Sequence, residues 1–197
     1  MYLHHIFIDI GQGSSFKENP IYVDCYEKNK LMLENTEFKI KVWDENQIDN
    51  LVKEKYPEYL QFIDSFPNPF YKIDFVRPLI LHAEGGLYMD LDNYLLEVPD
   101  LNKDYIIGNW KNLINNDIIY FKNKDIYLEY VDFMIRRSED CKMPDSWKVR
   151  RFLYSVGARC FNQFCKRKGF INRDKNLYEG IGTGTWLKSF NKKKSIN

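Results

Sequence analysis

The stretch P-F-Y-K-I-D-F-V-R-P-L-I-L-H-A-E-G-G-L-Y-M-D-L-D, residues 69–92, constrains the fold more than any other part of the chain. Phe70, Ile73, Val76, Ile80 and Leu81 recur at helical spacing and predict a helix with an apolar stripe. Gly85 or Gly86 ends it, because glycine accepts the left-handed backbone that a helix stop uses. Pro78 falls inside that helix and predicts a kink or a later start. L-Y-M-D then reads as a short apolar strand. The strand ends in Asp90 and Asp92, two carboxylates one residue apart. Like charges that close repel unless something cationic stands between them.

The preceding segments set this unit in an alternating pattern. Residues 3–10, L-H-H-I-F-I-D-I, form a short apolar run ending at G-Q-G-S-S, so a buried strand and a loop. Pro20 suits the first turn of a helix, with Tyr22, Cys25, Tyr26, Asn29 and Leu33 at helical spacing. F-K-I-K-V-W (38–43) alternates as a strand does. Asp44 caps the next helix, and Gln47 completes a capping box. The order β-α-β-α-α-β predicts an α/β fold with a mostly parallel central sheet flanked by helices. Y-I-I-G-N-W (105–110) and D-I-I-Y-F-K (117–122) read as further strands, antiparallel to each other. Residues 125–137 read as a helix. Residues 147–168 are helical around a break at Ser155 to Gly157, so the C-terminal part is helical. No repeat or low-complexity linker divides residues 1–197, which are expected to form one domain.

Composition narrows the function. The 29 basic and 28 acidic residues nearly cancel, so there is no basic field and no nucleic-acid partner is expected. No apolar run approaches the ~20 residues that span a bilayer. The N-terminus lacks the basic segment of a signal peptide. A soluble, cytoplasmic chain is the expectation. Four cysteines without C-x-x-C spacing and three histidines do not make a structural zinc site.

In an open α/β sheet, ligands bind beyond the carboxyl ends of the strands, where Asp90 and Asp92 are expected. On an extended segment residues i and i+2 point the same way, so both carboxylates would face one small volume. Mn²⁺ or Mg²⁺ suits them. Mg²⁺ in particular typically takes one or two carboxylates and leaves other positions to water and substrate phosphates. Asp74 and Arg77 are three apart and share a helix face that points at the same cleft. The plainer alternative is a pair of solvated loop aspartates, with Asp92-Asn93 starting a turn.

The segment 67–92 resembles the signature of DXD-containing glycosyltransferases related to the Och1-type mannosyltransferases, glycosyltransferase family 32. The matching positions are Asp74, Arg77, Gly85-Gly86, Tyr88, Asp90 and Asp92. H-H-I-F-I-D-I-G resembles the family's opening strand, and V-W-D-E-N its second. Asn116 in N-D-I-I-Y-F-K and S-V-G-A (155–158) are similar to later blocks. Pro78 stands where the family has an aromatic, and Ala158 where it has proline. The resemblance implies a GT-A-like (Rossmann-like) fold. It implies transfer of a sugar from a nucleotide-diphosphate sugar, UDP-linked or GDP-linked, to a glycan or glycoprotein, with retention at the anomeric carbon. It also implies roles: Asp90 and Asp92 as metal ligands, and these two with Arg77 as the catalytic group. Phe7, Ile8, Asp9, Trp43, Asp74, Arg77, Gly86, Asp90, Asn116, Gly157 and Trp186 would bind substrate. A haloacid-dehalogenase-type phosphohydrolase also uses D-x-D, its first Asp as nucleophile. A non-catalytic carbohydrate-binding domain is the third reading.

Overall fold

The protein is described here from a computed structural model, which covers residues 1–10, 15–110, 113–140, 148–171 and 176–182. Its main sheet holds β1 (Tyr2–Ile6), β2 (Lys39–Trp43), β3 (Leu87–Met89), β5 (Tyr105–Trp110) and β6 (Leu113–Phe121), in the order β2-β1-β3-β6-β5. β1 runs parallel to β2 and to β3, while β6 is antiparallel to both β3 and β5. Every strand but β6 therefore points the same way, and the mostly parallel α/β expectation holds. The short strands β4 (Asn93–Leu95) and β7 (Tyr178–Gly180) pair with each other in a separate antiparallel ribbon that the sequence pattern did not announce.

The helices are α1 (Pro20–Leu33), α2 (Glu45–Lys55), α3 (Leu60–Asp64), α4 (Pro69–Glu84), α5 (Asp125–Asp140), α6 (Lys148–Ser155) and α7 (Ala158–Lys168). Local chemistry sets several of their ends. Pro20 and Pro69 occupy first-turn positions, behind Asn19 and Asn68, whose side chains accept from Ile21 N and Phe70 N. Asp44 and Gln47 form the expected reciprocal capping box of α2. α4 ends at Gly85, with φ 72°. Pro78 neither ends α4 nor shifts its start. The helix runs through it, and Pro78 is buried.

Alternation along the strands divides the core in two. Tyr88, Ile107, Ile119 and Phe121 face the larger cluster, with Phe75, Leu79 and Ile80 of α4, Ile48 of α2, Tyr130 of α5 and Phe161 of α7. Leu3, Leu87, Met89, Ile106 and Ile118 face the smaller one, with Leu33 of α1 and Leu95 of β4. The carboxyl ends of β1, β2 and β3 reach one edge of the sheet, since Ile6 pairs with Trp43 and His4 with Tyr88.

Candidate functional site

The site begins on α4, whose buried face carries Asp74 and Arg77 one turn apart. Arg77 Nη1 lies 2.8 Å from Asp74 Oδ1 and donates to the Asn116 carbonyl at 2.8 Å. Its Nη2 donates to Asp90 Oδ1 at 2.7 Å. The guanidinium stacks over the Tyr88 ring, 4.8 Å from its centroid. Arg77 is only 6% exposed, so this fork is committed to protein groups. Burial disfavours its charge, but Asp74 and Asp90 more than compensate and hold its pKa well above the usual arginine range. Pro78 has no N–H for the Asp74 carbonyl, so α4 lacks a helical hydrogen bond beside the site.

The next strand, β3, is pinned at both ends by adjacent histidines of β1. Trp43 Nε1 donates to His4 Nδ1 at 3.1 Å. His4 must then carry its proton on Nε2, which donates to the Gly85 carbonyl at 2.8 Å. His5 Nδ1 donates to the Met89 carbonyl at 2.6 Å. Burial pushes both imidazoles down to about 4, against their hydrogen bonds to Gly85 and Met89. At Gly86, with φ 83°, a Cβ would lie 2.4 Å from the Tyr2 carbonyl, so only glycine lets β3 approach β1 here.

Beyond Met89 the chain turns instead of continuing extended. Asp90 N donates to the Asp117 carbonyl at 2.8 Å, and Asn93 N to the Asp90 carbonyl at 3.1 Å. The D-x-D therefore sits on a tight turn between β3 and β4. This corrects the expectation of two carboxylates aligned along a strand. The reversal is imposed by β4, which must swing out to pair with β7. Tyr88 Oη donates to Asp90 Oδ1 at 2.7 Å, so both short contacts of this carboxylate use one oxygen. The Asp90 side chain keeps 28% exposure, and Asp92 is half-buried.

Arg77 thus holds the carboxylates of Asp74 and Asp90, and Asp92 and Asp117 lie close enough for their charges to act on Asp90. Burial pushes Asp90 up to about 8; Arg77 opposes this, while the charges of Asp92 and Asp117 add to it. Burial likewise pushes Asp117 up to about 6, against its hydrogen bond from Tyr178. Among the described residues no three His, Cys, Asp or Glu side chains are arranged to hold a metal ion.

Several expected site residues join this cluster. Asn116 supplies the carbonyl that receives Arg77, and its buried side chain lies beside Asp74. Gly157, at the α6–α7 joint, packs against Asp74: a Cβ there would lie 3.3 Å from Asp74 Oδ2. Phe7, Ile8 and Asp9 leave β1 at the same sheet edge, where Phe7 N donates to the Trp43 carbonyl at 2.9 Å. The Ile8 side chain goes into the core, while Asp9 is exposed. Trp43 is also buried, its indole bonded to His4 and covered by the Lys41 ammonium at 3.6 Å. Gly86 stands at the opposite end of β3 from Asp90. Trp186 lies outside the described residues. Tyr88, known only as a position in the motif, proves to orient Asp90. Asp117 and Tyr178 gave no signal at all, because a strand bulge brings them here. Two surface grooves lie elsewhere, one between α1 and β2 and one between α5 and α7.

This is a GT-A-like α/β fold with a D-x-D turn at the carboxyl edge of its sheet. Residues 22–108 match the family model described as the glycosyltransferase sugar-binding region containing DXD motif. An uncharacterized glycosyltransferase, L373, of Acanthamoeba polyphaga mimivirus is 36% identical over 91 residues, 46% of this chain and 34% of that protein. The mannosyl phosphorylinositol ceramide synthase SUR1 of Saccharomyces cerevisiae is 29% identical over 66 residues, 34% of this chain and 17% of its own length. The chain thus matches about a third or less of these relatives' length. Among solved structures, the PaToxG glycosyltransferase superposes with a TM-score of 0.53 at 14% identity, over 98% of this chain and 72% of that one. That likeness is one of fold. Together these findings give residues 22–108 a likeness to the DXD-containing sugar-binding region of glycosyltransferases. No helix among the described residues is long and apolar enough to cross a membrane.

Proposed function

We propose that this chain transfers a sugar from a nucleotide-diphosphate donor, UDP-linked or GDP-linked, with a divalent ion held at the D-x-D turn and with retention at the anomeric carbon. The observation that carries this reading is the excess of carboxylate over guanidinium at the turn. Arg77 neutralises at most one of the three acids nearest the turn, Asp74, Asp90 and Asp92, and a further cation there would favour the ionised forms that burial of Asp74 and Asp90 disfavours. The donor set fits Mn²⁺ or Mg²⁺. Both are hard ions, Mg²⁺ typically bound by one or two carboxylates plus water and phosphate, and Asp90 and Asp92 supply the carboxylates. When bound, the ion would act as a Lewis acid on the departing diphosphate.

The chain's own residues do the positioning. Arg77 and Tyr88 both hold Asp90 Oδ1, which leaves the second oxygen of this partly exposed carboxylate suited to a bound ion. The Asn116 side chain lies beside the Asp74 carboxylate and favours its ionised form, and the two are suited to donor-sugar hydroxyls. Phe7 to Asp9 flank the nucleotide side of the sheet edge. The relatives named as mannosyl phosphorylinositol ceramide synthases make a mannosyl donor and an inositol-phosphate lipid acceptor worth testing beside other nucleotide sugars, glycans and glycoproteins.

A panel of UDP- and GDP-sugars incubated with Mn²⁺ tests this. The expected result is nucleoside diphosphate release that Asp92→Asn abolishes. Phosphate release from simple monoesters, without nucleotide-sugar binding, would instead support the phosphohydrolase.

A further inference from the structure

We propose that Asp117 is a positioning residue: a bulge in β6 presents it, and through Tyr178 it secures the turn that carries Asp90 and Asp92. The purpose of that role rests on the reading of the turn given above, but the contact chain itself does not.

The bulge is visible in the strand register. Tyr105 pairs with Phe121, Ile106 with Tyr120 and Ile107 with Ile119, and then Gly108 pairs with Asn115. Residues 116–118 of β6 are thus left without partners on β5. The other side of the strand takes them up. Ile118 pairs with Met89, the Asp117 carbonyl receives Asp90 N, and the Asn116 carbonyl receives Arg77. A bulge bends its strand and re-aims the side chains on it.

The Asp117 carboxylate is aimed into a slot that only glycine leaves open. A Cβ at Gly108 would lie 1.9 Å from Asp117 Oδ1 and 3.0 Å from the Tyr178 hydroxyl. Tyr178 Oη donates to Asp117 Oδ1 at 2.8 Å and accepts from Asn109 N at 3.0 Å. Tyr178 opens β7 and pairs with Leu95 of β4. β7 is followed by Ile181, whose N–H donates to the Asp92 carbonyl at 3.0 Å. Asn93, almost fully buried, places its side chain close enough to favour the ionised form of Asp117. The turn is therefore held from both sides. The backbone of the bulge grips Asp90, and the Asp117–Tyr178 strut fixes the ribbon that grips Asp92.

This role needs an acceptor oxygen at position 117, not a charge. Asparagine supplies that oxygen and alanine does not. The test compares Asp117→Asn, Asp117→Ala, Tyr178→Phe and Gly108→Ala. It reads amide exchange across residues 90–96 in the free protein, and Mn²⁺ binding by electron paramagnetic resonance. Asp117→Ala, Tyr178→Phe and Gly108→Ala are expected to speed exchange and to weaken Mn²⁺ binding by about tenfold or more, the usual effect of losing a group that orients a ligand. Asp117→Asn is expected to stay within about threefold of the parent in both. The proposal is overturned if Asp117→Asn falls as far as Asp117→Ala, since the charge would then be used directly. It is also overturned if Tyr178→Phe, which removes one hydroxyl and leaves the packing, changes neither readout. If the parent protein binds no Mn²⁺ and cleaves no nucleotide sugar, the functional reading fails, and exchange across residues 90–96 still decides the strut.

Discussion

At the scale of single residues, Arg77 organises the site. A buried guanidinium between two carboxylates is costly to disturb, because removing it leaves both acids without a counter-charge. Arg77→Met should destabilise the protein by about 3–5 kcal/mol in urea unfolding. An unchanged midpoint would mean that these groups are not buried as ions. Tyr88→Phe removes one hydrogen bond to a carboxylate and should cost about 2 kcal/mol. Its effect on donor turnover should exceed its effect on stability if Tyr88 orients Asp90. Helical spacing and the family resemblance made Asp74, Arg77, Asp90 and Asp92 recognisable, although spacing set the two aspartates along a strand and not on a turn. Spacing could not reveal Asp117 and Tyr178, which stand sixty-one residues apart and meet only through the bulge. Nor could it show that the Trp43 indole is spent on His4 within the core.

At the scale of elements, β3 is three residues long and depends on its neighbours. Two predictions follow from how β1 holds it. Gly86→Ala places a side chain at φ 83° and within 2.4 Å of a backbone oxygen. The backbone strain alone costs about 1–3 kcal/mol, and the clash adds to it. Thermal unfolding of that variant measures the sum. The histidines set a pH dependence. Their folded-state values, about 4, lie below the ordinary 6.5. Between those values the unfolded chain binds more protons than the folded one, so stability is complete above pH 6.5 and declines as pH falls toward 4. Each histidine contributes up to about 3 kcal/mol to that loss. The cause is concrete for His4: its protonated ring has no acceptor left for Trp43. A urea midpoint that stays flat from pH 7 to pH 4.5 would contradict the buried, neutral assignment.

At the scale of the whole molecule, the sheet, the α4 face and the β4·β7 ribbon converge on one turn. Ligand binding there should stabilise the whole fold. With Mn²⁺ and UDP at about a hundred times their dissociation constant, linkage adds about 2.7 kcal/mol. For a chain of this size that raises the melting temperature by roughly 5–10 °C. EDTA should reverse the shift and Asp92→Asn should abolish it, as differential scanning fluorimetry would show.

Local rules in the chain settled much of this. Helical periodicity, the capping box at Asp44 and Gln47, prolines at first-turn positions and the Gly85 stop each act within one turn of backbone. The chain therefore states them directly, and with them the α/β order and the D-x-D at a strand end. Tertiary structure decided what depends on distant partners. Pro78 stays inside α4 because packing on both sides outweighs one missing hydrogen bond. Asp90 and Asp92 sit on a turn because β4 must reach β7, some eighty residues later. Asp117 enters the site because β6 slips three residues against β5 between Ile107 and Gly108 while it also pairs with β3. Such a slip between strands exists only once the sheet is assembled.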